Sequence, residues 1–261
     1  MSFVSTLGFR EARRCVVERV LAARRMPACE AVSLEEALGR VLAAPVSADR
    51  DLPPVDRSIR DGFAVRAADL PATLDVIGEV RAGESYTGCV TVGKTIEIMT
   101  GAPMPDGADT VVMVERTTRE GARVRIDRAS PPGEYVNPRA AEAHQGSTLI
   151  ETGTRLGYAE IAMAASTGRA HLEVFAKPRV AIVATGDEIV PVETTPLPHQ
   201  VRNSNAYSLA AQVRRAGGTA EVLPVAHDTH AETHASLERG LACDLLLISG
   251  GVSAGKYDVV E

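Results

Sequence analysis

A chain of 261 residues with 34 acidic and 28 basic side chains carries a net charge of −6 and a pI near 5.6. That balance argues against general nucleic-acid binding, so an anionic ligand needs a local site rather than a global field. Hydrophobic content of 45% is ordinary for a soluble globular protein, but Trp is absent and aromatics reach only 3%, so Val, Leu, Ile and Ala must build the cores.

Residues 6–25 read as an amphipathic helix, with Phe9, Ala12, Val16, Val20 and Leu21 at three- and four-residue spacing. Ser33-Leu-Glu-Glu36 is a capping-box pattern that predicts a short helix from Leu34 to Leu42. From Pro45 to about Pro138 the pattern is β-rich. Short alternating runs over 75–80, 95–99, 110–114 and 123–126 are punctuated by Gly and Pro turns. Residues 157–167 are expected to be helical, closed by Gly168. From Lys177 the order is strand 179–184, helix 205–216 opened by Ser204 or Asn203, strand 220–225, helix 229–242 opened by Thr229, and strand 244–248. That alternation predicts a doubly wound α/β unit, with Pro191 to Pro198 as a loop. Such a unit is expected to continue past Glu261 with a helix and at least one more strand, so the chain reads as truncated.

Four scattered cysteines, Cys15, Cys29, Cys89 and Cys243, form no Cys-x-x-Cys pair and are expected as reduced, buried thiols. No basic-then-apolar leader precedes the first helix, and no apolar run nears the roughly 20 residues that span a bilayer. The expected compartment is the cytoplasm, with no membrane and no nucleic acid as partner.

Two segments carry the chemistry. Arg179-Val-Ala-Ile-Val-Ala-Thr-Gly-Asp-Glu188 and Asp244-Leu-Leu-Leu-Ile-Ser-Gly-Gly-Val-Ser-Ala-Gly-Lys-Tyr-Asp258 each run an apolar strand into a small, acidic turn. Ligands of open α/β sheets sit at the carboxyl ends of the strands, where these turns lie. The Ser249–Gly255 turn has three glycines, Gly250, Gly251 and Gly255, whose bare N–H groups can approach an anion. The carboxylates of Asp187, Glu188 and Asp258 border the same crevice, which suggests a nucleotide-like ligand held with Mg²⁺. Each feature has a plainer reading. Asp187 and Glu188 alone could be a turn and a helix cap, Asp56 and Asp61 solvated loop acids, and Thr100 a turn hydroxyl. His227, His230 and His234 lie near a helix start among Thr, Ala and Glu, and read as exposed histidines rather than a zinc site. The arginines between Arg116 and Arg139 are interspersed with acids and read as a solvated β surface.

Taken in order, the motifs resemble those of the MoeA/gephyrin-E family, the molybdopterin molybdenumtransferases. They are Leu52-Pro-Pro-Val-Asp-Arg-Ser-Ile-Arg-Asp-Gly-Phe-Ala-Val-Arg66, Ala82-Gly-Glu84, Ile98-Met-Thr-Gly-Ala-Pro-Met-Pro-Asp-Gly-Ala-Asp109, Gly153-Thr-Arg-Leu156, Ala184-Thr-Gly-Asp-Glu188, Asn203-Ser-Asn205 and Ser249-Gly-Gly-Val-Ser-Ala-Gly255. The resemblance implies a multidomain α/β protein with a β-rich lobe. A discontinuous helical dimerisation domain would span 1–45 and 141–176, with a β domain inserted at 46–140. An incomplete doubly wound α/β, molybdopterin-binding-like domain would span 177–261, and the family's final β domain would be absent. It implies insertion of molybdate into adenylylated molybdopterin with release of AMP, a divalent cation such as Mg²⁺, a homodimer, and the molybdopterin adenylyltransferase as a partner. By that resemblance Asp61, Thr100 and Asp228 take catalytic roles, the first two from the partner subunit. Thr185, Gly186, Ser249, Gly250, Gly251, Ser253 and Gly255 hold the substrate, and Glu188, Asp258 and Asp187 stand on the metal side.

Some positions depart from the family pattern. Its Met-Asp-Gly-Tyr core reads Arg60-Asp61-Gly62-Phe63 here, and its Val-Arg-x-x-Gly-Glu-Asp segment reads Val136-Asn137-Pro-Arg-Ala140-Ala141-Glu142. Asn137 cannot supply the charge of the usual Arg, for which Arg139 is a candidate substitute. Two rival functions follow: a molybdopterin-binding or scaffolding protein without turnover, and another hydrolase or transferase acting on a pterin or nucleotide.

Overall fold

The computed structural model describes residues 7–23 and 26–250, and groups them in two compact units. One unit comprises residues up to Ala44, Gly153–Tyr158 and His171 onward; the other comprises Pro45–Thr152 and Ala159–Ala170.

The first unit opens with helix α1 (Phe9–Ala23), none of whose residues is buried, and strand β1 (Cys29–Ser33). The capping box after β1 forms: the Ser33 hydroxyl donates to Glu36 Oε2 at 2.9 Å, and Glu36 N–H donates back to Ser33 Oγ at 3.3 Å. The helix expected from Leu34 to Leu42 does not. Gly39 turns the backbone at φ 74°, and its N–H donates to Leu156 O instead of propagating a helix. So short a helix is marginal on its own, and backbone pairing with 154–156 replaces it.

The second unit holds β2 (Val46–Ser47), β3 (Arg57–Ser58), β4 (Gly62–Val65), β5 (Ala72–Val80), β6 (Lys94–Ile98), β7 (Thr110–Met113), β8 (Thr118–Glu120), β9 (Arg123–Ile126), β10 (Val136–Asn137) and β11 (Thr148–Ile150). Six of them form one mixed sheet in the order β7-β4-β6-β5-β9-β8, parallel only between β5 and β6. Alternation along β4 sends Ala64 to a core with Val80, Ile96, Ile98 and Val111, and Phe63 and Val65 to another with Leu74, Val112, Val124 and Ile126. Both faces of the sheet are therefore apolar and covered, by Val, Ile and Leu as the composition requires. The exposed arginines on this lobe meet carboxylates: Arg116 with Glu134, Arg119 with Glu97, Arg123 with Asp75, and Arg125 with Glu120.

Ala140 stands at φ 61°, a left-handed conformation that costs a residue bearing Cβ about 1 kcal/mol. Its N–H donates to Pro53 O at 2.9 Å, which holds it there. Ala140→Gly is expected to raise stability by about 0.5–1 kcal/mol and Tm by about 2 °C in calorimetry. The glycine that the resemblance implies at this position would have a backbone reason.

Helix α2 (Tyr158–Ser166) follows, ending before Gly168 at φ 76°. In the first unit, β12 (His171–Phe175) pairs antiparallel with β1. Then come β13 (Arg179–Ala184), β14 (Ile189–Val190), β15 (Val201–Arg202), α3 (Ser204–Ala216), β16 (Thr219–Val222), α4 (His230–Leu241) and β17 (Leu245–Ser249). The parallel sheet runs β16-β13-β17. Val180 and Ile182 pack with Ala206 and Ala210 of α3, while Ala181 and Val183 face Leu223, Ala226 and Leu246. Gly240 of α4 lies against Leu246, so α3 and α4 cover opposite faces, the doubly wound arrangement. Asn203 Oδ1 caps α3 by accepting from Ala206 N–H, Gly217 closes it at φ 102°, and Thr229 Oγ1 caps α4 through Glu232 N–H.

All four cysteines are free thiols, but they are not buried: Cys29 and Cys89 are exposed, and Cys15 and Cys243 are half-buried. No helix among the described residues is long and apolar enough to cross a membrane.

Candidate active site

The carboxyl end of β13 carries Thr185, Gly186, Asp187 and Glu188, and two neighbouring loops come to it. Thr185 N–H donates to Ser249 O at 3.0 Å, and Gly186 N–H donates to Ala226 O at 3.2 Å. Gly250, at φ 101°, approaches so closely that a Cβ there would stand 2.4 Å from Thr185 O and 3.0 Å from Thr185 Oγ1. The glycine at this position is required twice, by its backbone angle and by this contact.

Thr185 is 3% exposed, and its hydroxyl has no hydrogen-bond partner among the described residues. A buried hydroxyl left unpaired costs about 1–3 kcal/mol, and such orphans cluster where a ligand completes the bonding. Asn205 Nδ2 donates to Ser249 Oγ at 3.2 Å and fixes the serine that opens the glycine turn. Gly251, Ser253, Gly255 and Asp258, also expected at this site, lie outside the described residues.

The acidic residues divide by geometry. Asp187 Oδ1 accepts from Asp228 N–H at 3.2 Å and lies 3.1 Å from His227 Nδ1, while His227 N–H donates to Glu232 Oε2 at 3.1 Å. Asp187 thus acts as a clasp between the 185–188 turn and the start of α4, through Oδ1 of a carboxylate that is still 73% exposed. Glu188 folds over Gly186 with no side-chain hydrogen bond among the described residues. No group of three His, Cys, Asp or Glu able to hold a metal occurs among the described residues, and His227, His230 and His234 do not form one. His234 instead lies 3.7 Å from Glu238 of the same helix. Asn205 and His227 also reach this edge: Asn205 lies in its own Asn203-Ser-Asn205 motif, whereas the sequence singled out His227 only with His230 and His234, as a cluster of exposed histidines.

In the other unit, Asp61 and Thr100 meet. Thr100 donates its N–H to Asp61 Oδ1 at 2.6 Å and its hydroxyl to the same oxygen at 2.7 Å. The backbone bond first, and the hydroxyl second, hold the Asp61 carboxyl below its ordinary range against the opposing effect of burial. In the free protein the Thr100 hydroxyl therefore donates to Asp61. The depressed folded-state pKa stabilises the native state above about pH 3.9, and that stabilisation is lost as pH falls through the folded value. In urea unfolding from pH 7 to pH 2.5, the stability gap between wild type and Asp61→Asn is expected to close below about pH 4. A gap constant with pH would contradict the assignment.

Near this pair, Asn137 Nδ2 donates to Glu142 Oε1 at 3.4 Å. Arg139 Nε binds Asp51, whose carboxyl is held low by Gln145 N–H and then by Arg139. Arg139 is paired with Asp51 and its side chain is 67% exposed.

Comparison with known proteins gives these features a family. Residues 7–168 match the model of the MoeA N-terminal region (domain I and II), and residues 181–261 match that of a probable molybdopterin binding domain. Curated relatives include the molybdopterin molybdenumtransferase of Nostoc sp., 39% identical over 240 residues, covering 89% of this chain and 55% of the relative. That of Bacillus subtilis is 35% identical over 254 residues, with 93% and 59% covered. The chain thus spans little more than half the length of the curated relatives it matches. A crystal structure of the molybdopterin biosynthesis MoeA protein from Pyrococcus horikoshii OT3 superposes with a TM-score of 0.87 at 31% identity, covering 94% of this chain and 67% of that one. With the N-terminal region and the molybdopterin-binding-like domain both matched in order, the chain belongs to the MoeA family.

Proposed function

We propose that this protein acts in molybdenum cofactor synthesis, inserting molybdate into adenylylated molybdopterin as the phosphoanhydride opens and AMP leaves. The observation that carries the reading is the buried, unpartnered Thr185 hydroxyl beneath Gly250, at the carboxyl end of the parallel sheet. There it would donate to a ligand phosphate oxygen, beside the backbone of the glycine turn. Asp187 orients His227 and the start of α4 at the rim, and Asn205 holds Ser249.

Mg²⁺ fits this site as an ion that binds one or two carboxylates and otherwise takes phosphate oxygens and waters. The Glu188 and Asp228 carboxylates, without a side-chain hydrogen bond among the described residues, would hold it; the ion would neutralise phosphate charge. Asp61, held by Thr100, would orient a substrate group from the inserted lobe (46–140) of a second copy. The names of the curated relatives favour a transferase over a binding-only scaffold. The test is to incubate the purified chain with adenylylated molybdopterin, molybdate and Mg²⁺, and to follow AMP. Binding of the adenylylated substrate with molybdate-dependent AMP release is expected; absence of both would overturn the reading.

A homodimer is part of the proposal, with 1–45 and 141–176 as its dimerisation region. Helix α1 leaves Phe9 82%, Val16 61% and Val20 53% exposed, an apolar stripe that a second copy would cover. Val16→Glu with Val20→Glu is expected to yield a monomer in analytical ultracentrifugation; an unchanged sedimentation coefficient would exclude α1 from the interface. The adenylyltransferase that supplies the substrate is the natural second partner.

A further inference from the structure

Away from the Thr185 edge, the first unit contains a cavity of about 240 Å³. Arg40, Arg155 and Lys177 reach its walls together with Pro27, Phe175 and Pro178, and no acidic side chain among the described residues lines it. In a chain of net charge −6 that is an unusual concentration of one sign.

The three cations are not equivalent. Arg40 is 8% exposed and already satisfied, with Nη2 bound to Glu30 and donating to Phe175 O at 2.9 Å. Arg155 and Lys177 have no side-chain hydrogen bond or ion pair among the described residues. The Arg155 guanidinium stands between Gly39 and Gly217, with Nη2 4.0 Å from where a Cβ would be at either. Two uncompensated cations at the mouth and apolar rings on the walls specify two halves of one ligand. The cations match a dianion, and a phosphate monoester carries about −1.5 to −2 at neutral pH. Phe175, Pro27 and Pro178 match a compact cyclic body, for which the cavity of about 240 Å³ leaves room.

We propose that this cavity binds a small organic phosphate monoester, its phosphate on Arg155 and Lys177 and its ring against Phe175 and the two prolines. The site is separate from the Thr185 turn and does not depend on the function proposed there. Phenyl phosphate is the probe, measured by titration calorimetry at pH 7.5 against inorganic phosphate. Binding at least tenfold tighter than inorganic phosphate is expected in wild type and in Thr185→Val, and at least tenfold weaker in Arg155→Gln/Lys177→Gln. Both substituted side chains are exposed, so the fold is expected to be retained, as circular dichroism would show. Partial rescue by Arg155→Lys in the Lys177 background would separate charge from local packing. Equal affinity for the two phosphates, no change in the double variant, or loss in Thr185→Val alone would each overturn the proposal.

Discussion

Gly62→Ala is expected to destabilise the six-stranded lobe by about 3 kcal/mol or more. A Cβ at this position would lie 2.0 Å from Val112 O, 2.8 Å from Val112 C and 2.9 Å from Met113 Cα, all backbone atoms of β7. No side-chain rotation relieves such a contact. Nor can β4 move away, because it pairs with β7 on one side (Gly62 with Met113) and with β6 on the other (Gly62 with Ile98). Its next residues, Phe63 and Ala64, anchor the cores on opposite faces of the sheet. A shift of β4 therefore disturbs both cores. Gly121→Ala is the contrast: φ is 64°, but nothing lies within 4 Å, so only backbone strain of about 1 kcal/mol is expected. Urea unfolding of the two variants should separate them clearly. If Gly62→Ala unfolded within 1 kcal/mol of wild type, β4 and β7 could part locally and the register of this sheet would be looser than drawn. The result also bears on the site, since Asp61 precedes Gly62 and its orientation follows the path of β4.

Where the signal was local, the fold was legible. The run Val180–Ala184 is apolar without interruption and lies between Pro178 and Gly186, so its limits as a strand were readable. Asn203, Gly217 and Thr229 bound α3 and α4 because capping is a one-turn interaction. The short strands of the inserted lobe were visible from alternation, but their order was not. The β7-β4-β6-β5-β9-β8 sheet places non-consecutive strands side by side, and alternation reports a face, not a partner. The β1–β12 ladder was missed for the same reason: its strands lie on either side of the whole β-rich segment and share no turn. The misread helix at Leu34–Leu42 shows the reverse error. The capping box was real, but Gly39 and pairing with 154–156 outweighed a propensity that stabilises so short a helix only weakly. At the site, charge identified Asp187 and Glu188 as equals. Only coordinates reveal that one carboxylate is already engaged and the other is not.

That difference yields the largest expected effect on activity. Glu188→Gln is expected to lower molybdate-dependent AMP release about 100-fold, which corresponds to roughly 2.7 kcal/mol of lost transition-state stabilisation. The carboxamide keeps the shape and one acceptor oxygen but loses the charge that would hold a divalent ion against a phosphate. Because the Glu188 side chain has no hydrogen bond among the described residues, the unfolding midpoint should not change. Asp187→Asn is expected to behave differently. Its Oδ1 can still accept from Asp228 N–H, but the attraction to His227 weakens, so the clasp loosens without being abolished. A fall of about tenfold or less is expected, without a raised Mg²⁺ requirement. The decisive measurement is AMP release across an Mg²⁺ titration for both variants. Glu188→Gln should need more Mg²⁺ to reach its reduced maximum, whereas Asp187→Asn should saturate where wild type does. The opposite order would return Asp187 to the metal side and reduce Glu188 to a turn residue, because a carboxylate engaged as a clasp in the free protein would then have to exchange its partners for the ion.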